Sequence, residues 1–351
     1  MKYQLRSYSS ILEIDPAAWH SLTQNAPFQD YQWHRFCEEI YHQTPHFYVT
    51  FEESDGTLVA CASLWVYGEQ VSLPIASKTI QWAAQKMIRH SPVVACEIPL
   101  AQFSSIHLAA GVDPANILPP LTEFTEELAR QNRASFVYFN DTVFPTGQNP
   151  QVDRLWFPNY VPYEFPPEYY LPIEWPDFSN YLASRSPSTQ KDYRRHLNRT
   201  KDVQLSVGEI SQPIAPILEL IQNVNEKHGN PETFWAEAAI KHQHLVNGTW
   251  ITATLHGRLV GCGLLVGNEG NHRLLLLGMD YEVWGIYFRM MYTAIETAIN
   301  QGTKRLFAGT GSAQFKSNLG FQPIPSKIYY RPQNPLFRWF VKWIERRDLV
   351  N

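Results

Sequence analysis

Residues 256–265 read HGRLVGCGLL, and the architecture of the chain can be worked out from them. His256-Gly257 is a turn signal between two apolar runs, 249–255 and 258–266, and this arrangement predicts a β-hairpin. Residues 56–64 read GTLVACASL and match residues 257–265 at a constant offset of 201, with five identical residues in nine. We interpret the match as the trace of a duplicated domain.

Two further matches follow in the same order along the chain. A helix followed by a strand at residues 127–138 corresponds to residues 297–306 and beyond. The residues LWFP at 155–158 correspond to LGF at 319–321, with Pro323 nearby. Chance similarity among common hairpin residues is the alternative, but three matches in one order favour two copies of one domain.

The elements expected around the second hairpin alternate in type. From residue 203 onward their order is strand, helix, helix, hairpin, strand, helix, strand, helix, strand, which is typical of a mixed α/β sheet of the α+β kind. We therefore predict two tandem α/β domains, residues 1–175 and 176–351, with the proline- and tyrosine-rich residues 144–176 as their connector. The expected strands lie at 203–208, 272–280, 305–308 and 327–331, and the expected helices at 214–228, 231–246, 284–300 and 312–319.

The composition limits the classes of protein to be considered. The 351 residues include 29 Lys and Arg against 33 Asp and Glu. The net charge of −4 excludes a generally basic nucleic-acid-binding surface but leaves room for a local basic patch. The 44% of apolar residues can fill a core in each half. The N-terminus shows no secretory signal, and no apolar run approaches the about 18 residues that a membrane-spanning helix needs.

The four cysteines, Cys37, Cys61, Cys96 and Cys262, contain no CxxC pair. This pattern predicts neither a zinc site nor a disulfide framework, and no other metal site is indicated. Buried free thiols in a reducing cytoplasm are the simplest interpretation. We therefore expect a cytoplasmic protein.

The second half of the chain resembles the GNAT acyltransferase superfamily. In that fold, a hairpin with the pattern D/H-G-x-L-V-G leads to a central strand, a long helix, a further strand and a short helix that closes with L-G-F. The corresponding residues here are 256–261, 273–280, 284–300, 305–308 and 319–321. The resemblance implies a mixed α/β sheet and the transfer of an acyl group to an amine.

The tandem arrangement resembles the Fem-type branch of that superfamily, the peptidoglycan-bridge aminoacyltransferases and their relatives. Residues 28–33, FQDYQW, resemble its early helix start, and residues 188–195, STQKDYRR, resemble the stretch that opens its second repeat. The likeness extends over residues 25–330. It implies a thioester or ester donor, an acyl-CoA or an aminoacyl-tRNA. Because no Ser/His/Asp or nucleophilic-cysteine motif is evident, we expect direct transfer to the amine. Acyl-CoA is then a co-substrate, and no covalently bound cofactor is expected.

The donor site implied by the resemblance lies where the central strand meets the long helix. Members that use acetyl-CoA have a Q/R-x-x-G-x-G/A loop there, whose backbone N–H groups hold the pyrophosphate at the helix N-terminus. This chain has YEVWGIY at 281–287, with one glycine and with Glu282 beside the anion site. The expected donor-binding residues are Trp284, Gly285 and Tyr287, together with Gly309 and Gly311 of a later glycine-rich loop.

Three residues are the catalytic candidates. The Fem-type pattern places a lysine in the transfer site after the loop 308–312, which implies this role for Lys316. Such a lysine can orient a phosphate, a carboxylate or the scissile carbonyl oxygen. Glu226 and His228, at the end of a helix capped by Gly229, are candidates for the general base. The alternatives are a solvated lysine whose stem covers apolar surface, and a histidine favoured by the helix dipole.

Basic residues are concentrated in one run, which contains Arg185, Lys191, Arg194, Arg195 and Arg199. Lys191, Arg195 and Arg199 share one helix face, which can bind a phosphate-bearing small molecule, a tRNA or a lipid headgroup. A solvated basic face is the alternative. Residues 336–347 mix aromatic and cationic side chains, and such a helix either contacts a membrane surface peripherally or docks on its own domain. The sequence does not indicate an oligomeric state.

We expect the second repeat to carry catalysis, because the first repeat has DTVFPTG at 141–147 in place of the lysine loop. The first repeat is then structural or holds the acceptor. Two other functions stay open at this point. One is a non-catalytic binding module that kept the fold, and the other is a lipid-associated N-acyltransferase anchored by residues 336–347.

Overall fold

The computed structural model describes most of the chain, and the described residues form two compact units. The first unit contains the chain up to His34, residues 41–165 and the chain from Pro325, and the second contains Arg35–Ile40 and Pro166–Ile324. The helix expected at 336–347 and most of the motif at 155–158 lie outside the described residues. Those residues are 2–24, 26–68, 92–143, 157, 159–210, 212–230, 232–268 and 270–333.

The helices and strands follow the predicted order from residue 203 onward. The described helices are α1 (Pro16–Thr23), α2 (Tyr31–Ile40), α3 (Leu118–Gln131), α4 (Phe178–Ala183), α5 (Pro187–Arg199), α6 (Ile214–His228), α7 (Ala236–His242), α8 (Ile286–Asn300) and α9 (Ala313–Asn318). The described strands are β1 (Gln4–Tyr8), β2 (His46–Glu52), β3 (Leu58–Tyr67), β4 (Val93–Cys96), β5 (His107–Leu108), β6 (Phe136–Asn140), β7 (Val161–Pro172), β8 (Val203–Gly208), β9 (Thr249–Leu255), β10 (Arg258–Asn268), β11 (Asn271–Met279), β12 (Arg305–Phe307) and β13 (Gln322–Pro332).

The first unit is built on a sheet with the strand order β1-β2-β3-β4-β6-β13, and β5 adds a short pairing with β3. Neighbouring strands are antiparallel except β4 and β6, which are parallel. Helix α3 has prolines in its first turn, where a missing N–H costs no helical hydrogen bond. It buries Leu118, Leu121 and Leu128 in a core shared with residues of β3, β4 and β6.

The second unit repeats this plan with the strand order β8-β9-β10-β11-β12-β7. Here too one neighbouring pair is parallel, β11 with β12, and the others are antiparallel. Helix α8 packs on one face against Gly261 and Gly263 of β10, and α6 packs on the other face against Gly278 of β11. The common strand order and directions confirm the predicted mixed α/β fold with two like domains.

The sixth strand of each sheet comes from outside the run of the other five. β7 comes before the other strands of the second unit in sequence and completes the second sheet by pairing with β12. β13 comes after all strands of the second unit in sequence, but it pairs with β6 of the first sheet. The two strands also match in sequence, since residues 168–172 read EYYLP and residues 328–332 read IYYRP. Their registers are equivalent as well. In the first sheet, one line of paired residues crosses four neighbouring strands at Trp65, Ala95, Tyr138 and Tyr330. The equivalent line in the second sheet consists of Val266, Arg273, Phe307 and Tyr170.

Residues 144–176 differ in part from the expected connector, because Val161–Pro172 form β7. Proline has no backbone N–H to donate to a neighbouring strand, so a stretch with many prolines is not predicted as a strand. The second unit differs from the expected domain 176–351 at both ends. It begins at Pro166 because β7 belongs to its sheet, and it ends at Ile324 because β13 pairs with β6 of the first sheet. The helix expected at 231–246 is the shorter α7 followed by a 3-10 turn, Gln243–Val246.

All four cysteines are buried and free, as predicted. Burial raises the pKa of the Cys96 and Cys262 thiols to about 12, so both are un-ionised near neutral pH. Within the part of the chain that the structure describes, no helix combines the length and the apolar character needed to cross a membrane.

The contact between β11 and α6 leaves no space for a side chain at Gly278. A Cβ atom there would lie 2.8 Å from the backbone of Leu220 and Ile221 and 2.7 Å from Cys262 Sγ. We expect Gly278→Ala to lower the free energy of unfolding by about 1–3 kcal/mol, measured by urea denaturation. Gly311→Ala is the matched control, since its Cβ would meet nothing within 4 Å. Equal effects of the two substitutions would contradict the close approach.

Candidate functional site

The two parallel strands of the second unit separate after a short paired section. β11 and β12 pair over three residues, and the last pair is Arg273 with Phe307. β12 ends there, whereas β11 continues to Met279. Leu275 also has no partner in β10, because the register shifts there. The two parallel strands therefore diverge beyond Arg273, and the place beside β11 where β12 has ended is called the opening. In the first unit, by contrast, β4 pairs with β6 along its whole length.

Lys316 lies at this opening, on α9, directly after the loop that follows β12. The loop turns through the left-handed region at Gly309, with φ 73°, and at Ser312, with φ 57°. The side chain of Lys316 is only 2% exposed. Its ammonium donates to the carbonyl oxygens of Ala308 at 2.5 Å and Gly309 at 2.8 Å, and lies 5.5 Å from the ring centre of Tyr169. Lys316 is therefore a buried residue and not a solvated one.

A buried ion pair lies beside the same loop. Glu168 of β7 is 1% exposed, and its Oε2 accepts a hydrogen bond from Arg273 Nη2 of β11 at 2.9 Å. Its other oxygen accepts from the backbone N–H of Gly309 at 2.7 Å. The peptide groups of Gly309 are thus held on both sides, the N–H by Glu168 and the carbonyl by Lys316.

Glu168 and Arg273 are not among the residues predicted from the sequence, although the repeat contains a signal for both. The strand registers place Ile328 and Ala95 of the first unit at the positions of Glu168 and Arg273. Where one unit has a charged residue and the other unit has an apolar residue at the equivalent position, the charge is not needed to form the sheet. This difference indicates a further role for the charged residue. For Glu168, the matching stretches EYYLP and IYYRP contain this signal in the sequence alone.

Burial lowers the pKa of Lys316 to about 8. The neighbouring Glu168 carboxylate acts in the opposite direction, and Arg273 lowers the pKa further. The ammonium form therefore predominates at neutral pH and is lost as the pH rises above about 8. The residue combines a positive charge with a protonation equilibrium close to the physiological range.

The predicted donor-binding residues Trp284 and Gly285 lie at the start of α8, against the end of α5. Gly285 has φ 90°, and a Cβ there would lie 3.4 Å from Nδ1 of the buried His196. The His196 ring stacks on Phe288 with centroids 3.9 Å apart. The half-exposed Trp284 carries the guanidinium of Arg199 over its ring, at 3.7 Å from the ring centre. An aromatic ring and a cation are therefore presented to solvent beside a helix N-terminus.

Tyr287 connects this region with the Lys316 loop. It hydrogen-bonds Ser312, and its ring contacts Phe315, the neighbour of Lys316. Burial raises the pKa of Tyr287, which keeps its hydroxyl protonated. The structure thus brings together the predicted residues Tyr287, Gly309 and Lys316, whereas Gly311 lies exposed on the same loop.

The predicted general bases lie on the exposed end of α6. Glu226 accepts a hydrogen bond from Gln222 at 3.1 Å. His228 Nε2 lies 3.2 Å from the Tyr281 hydroxyl, on the turn that leads to Trp284. No contact among the described residues joins either group to Lys316. Their role as bases stays a prediction.

The basic run divides into two parts. Arg185 donates to the carbonyl of Leu319 at 3.1 Å and stacks over Trp175, so it holds the end of α9. Lys191, Arg194 and Arg195 are exposed on α5, and Arg195 pairs with Asp192 at 3.0 Å. The exposed residues form a cationic surface beside Arg199 and Trp284, and their contact with a substrate stays a prediction.

Each unit has the same mixed sheet, in which one pair of the described strands is parallel and a core helix connects the two strands of that pair, α3 in the first unit and α8 in the second. This arrangement, present twice, is the tandem GNAT fold. A tandem GNAT protein from the clavulanic acid biosynthesis pathway, solved without acetyl-CoA, is similar to this chain with a TM-score of 0.59 at 12% identity, over 95% of this chain and 99% of that chain. FemX is similar with a TM-score of 0.62 at 12% identity and the same coverage. A GCN5-related N-acetyltransferase from Sphaerobacter thermophilus has a TM-score of 0.50 at 13% identity, over 94% of this chain and 96% of that chain. No sequence family and no curated protein matches the chain.

Proposed function

We infer that the second unit transfers an acyl or aminoacyl group from a thioester or ester donor directly to an amine. The observation that carries the proposal is Lys316, a buried cation at the opening between β11 and β12. Burial of a lysine lowers the stability of the fold, because desolvation disfavours the charged form of the side chain. A buried lysine therefore indicates a role other than packing. The tandem GNAT fold supports the reaction class, since acyl transfer is known for proteins of this fold.

Two of the three ammonium protons of Lys316 are bound by backbone carbonyls, which leaves one for a substrate oxygen. The acceptor amine attacks the carbonyl carbon of the donor, and negative charge develops on the carbonyl oxygen. A fixed cation there stabilises the oxyanion more than the ground-state carbonyl, which lowers the barrier. When the tetrahedral intermediate collapses, the carbon–sulfur or carbon–oxygen ester bond breaks, and the proton lost by the amine balances the charge of the leaving group.

The donor is proposed to be a phosphate-bearing molecule, an acyl-CoA or an aminoacyl-tRNA. Both end in an adenosine, which can stack on the exposed ring of Trp284, and both have phosphates for Arg199 and the N-terminus of α8. Lys191, Arg194 and Arg195 would extend this contact along a longer anion such as a tRNA. Both donors are made in the cytoplasm, which is where we place the protein.

A non-catalytic binding module is the second candidate function. The observation that favours it is His196, which covers Gly285 where acetyl-CoA-using relatives have a glycine-rich loop. A module of this kind would bind the donor and leave its ester or thioester intact.

Two assays separate these functions. Incubation with a panel of acyl-CoAs and amine acceptors, with free thiol as the readout, tests the CoA donor. Aminoacyl-tRNA with a labelled amino acid, followed by detection of the label on an amine acceptor, tests the other donor. Turnover in either assay supports a transferase. Binding by calorimetry without turnover in both assays would overturn the transferase and support the binding module.

A further inference from the structure

We propose that Glu168 and Arg273 are positioning residues for Lys316, and that together they hold the Gly309 loop in the form the transfer site requires. The proposal rests on the proposed function of this site. Glu168 makes two hydrogen bonds, one to Arg273 and one to the Gly309 N–H. Lys316 donates two hydrogen bonds, to the carbonyl oxygens of Ala308 and Gly309. Three of these bonds hold the backbone of the loop from two directions, and the fourth holds the Glu168 carboxylate in place.

The first unit shows that the sheet does not need these charges. Its equivalent strands pair in the same register with Ile328 and Ala95 at the two positions. In the place of Gly309 it has Asn140, whose side chain and not its backbone donates to a carboxylate, that of Glu97, at 3.3 Å. The ion pair is therefore an addition of the second unit, and it occurs in the unit that has the lysine.

The charges around Lys316 come from two strands. β7 contributes Glu168, together with the ring of Tyr169, and β11 contributes Arg273. The 308–311 loop contributes backbone carbonyls. Since Arg273 alone would repel the ammonium, the Glu168 carboxylate is what allows two cations to be buried in one place. Glu168 thus compensates both positive charges, and its bond to the Gly309 N–H ties the ion pair to the loop.

The test is a pH titration of Lys316 followed by NMR of lysine labelled with carbon-13 at Cε. Lys316→Arg identifies the signal by its absence. We expect Glu168→Gln to shift the Lys316 titration to lower pH, because the neighbouring anion is lost and Arg273 stays. Arg273→Gln is expected to shift it to higher pH, because the repelling cation is lost. Opposite shifts support the positioning role, and unchanged titrations or shifts in one direction would overturn it.

Arg258→Gln is the matched control. It removes an ion pair of the same unit, Arg258 with Asp280 at 2.6 Å, which has no contact with Lys316 among the described residues. We expect the control to leave the Lys316 titration unchanged. Glu168→Asp is the second variant, for use if Glu168→Gln folds poorly. It keeps the negative charge, so we expect Lys316 to titrate in this variant at nearly the same pH as in the wild type. A titration that is shifted as far as in Glu168→Gln would count against the proposal.

The titration needs no substrate, so its outcome is separate from that of the proposed function. If the wild type transfers acyl groups, Glu168→Gln is expected to lower kcat at least about tenfold with little change in the KM for the donor. Opposite shifts in a protein with no turnover would support the positioning role and refute the proposed function. Unchanged titrations in an active protein would do the reverse.

Discussion

Replacing Lys316 with methionine is expected to lower kcat for acyl transfer by about 100- to 1000-fold, with the KM for the donor changed by less than about threefold. Methionine matches the length of the side chain and stays in a buried position. It removes the whole ammonium, which means the proton available to a substrate oxygen and also the two hydrogen bonds to the loop. The loss therefore falls on stabilisation of the transition state and not on binding. Initial rates with the donor identified by the panel assays measure both constants.

The pH dependence of the same rate provides a second test. Since the pKa of Lys316 is lowered to about 8, the ammonium form is lost above that value, and the rate is expected to fall there once the acceptor amine is already deprotonated. Lys316→Arg keeps its charge throughout this range and is expected to lose the falling limb, at a lower maximal rate. A methionine variant with a rate within about threefold of the wild type would refute the role of Lys316.

Arg273→Ala alone is expected to lower the free energy of unfolding by about 3–5 kcal/mol, because it leaves the buried Glu168 carboxylate without its counter-ion. The double variant Glu168→Ile with Arg273→Ala is expected to regain part of this loss, since the Gly309 N–H and the Lys316 ammonium also lose the Glu168 carboxylate. It reproduces the residues Ile328 and Ala95 that occupy the equivalent places in the first unit. An apolar pair in a buried site is often as stable as the ion pair it replaces.

Urea denaturation of the wild type, both single variants and the double variant measures the coupling between the two positions. The double variant is expected to be more stable than Arg273→Ala and to have lost acyl transfer. Additive losses, with the double variant less stable than either single variant, would show that the two residues stabilise the fold independently.

Much of the second unit could be predicted because its signals are local. The hairpin around His256-Gly257 and the helix at 214–228 depend on a turn and on the spacing of apolar residues, and both are observed. Lys316 follows a glycine-rich loop, and the resemblance to the Fem-type pattern singled it out; its role in transfer stays a prediction. In each case, neighbours in sequence are also neighbours in the structure, so a pattern in one segment was enough.

The ion pair and β7 could not be predicted in this way, because both depend on segments that are distant in sequence. Glu168 and Arg273 are 105 residues apart. A single charge in an apolar segment gives no sign of what it will pair with. β7 has prolines where a strand pattern would have branched or aromatic residues. Comparison of the two YYxP stretches indicates that β7 and β13 are equivalent, and it singles out Glu168 as a charged residue where the other copy has Ile328.

The exchange of β7 and β13 has a consequence for the order in which the protein folds as it is synthesised. Apart from the short segment Arg35–Ile40, the second unit is one continuous stretch, Pro166–Ile324. Its sheet therefore has all its strands once residue 307 has left the ribosome. The first sheet has five strands much earlier but lacks the partner of β6 until residues 328–332 emerge. β6 therefore stays an open edge during most of synthesis, and open edges invite wrong pairing. The half that starts first is the one that is completed last.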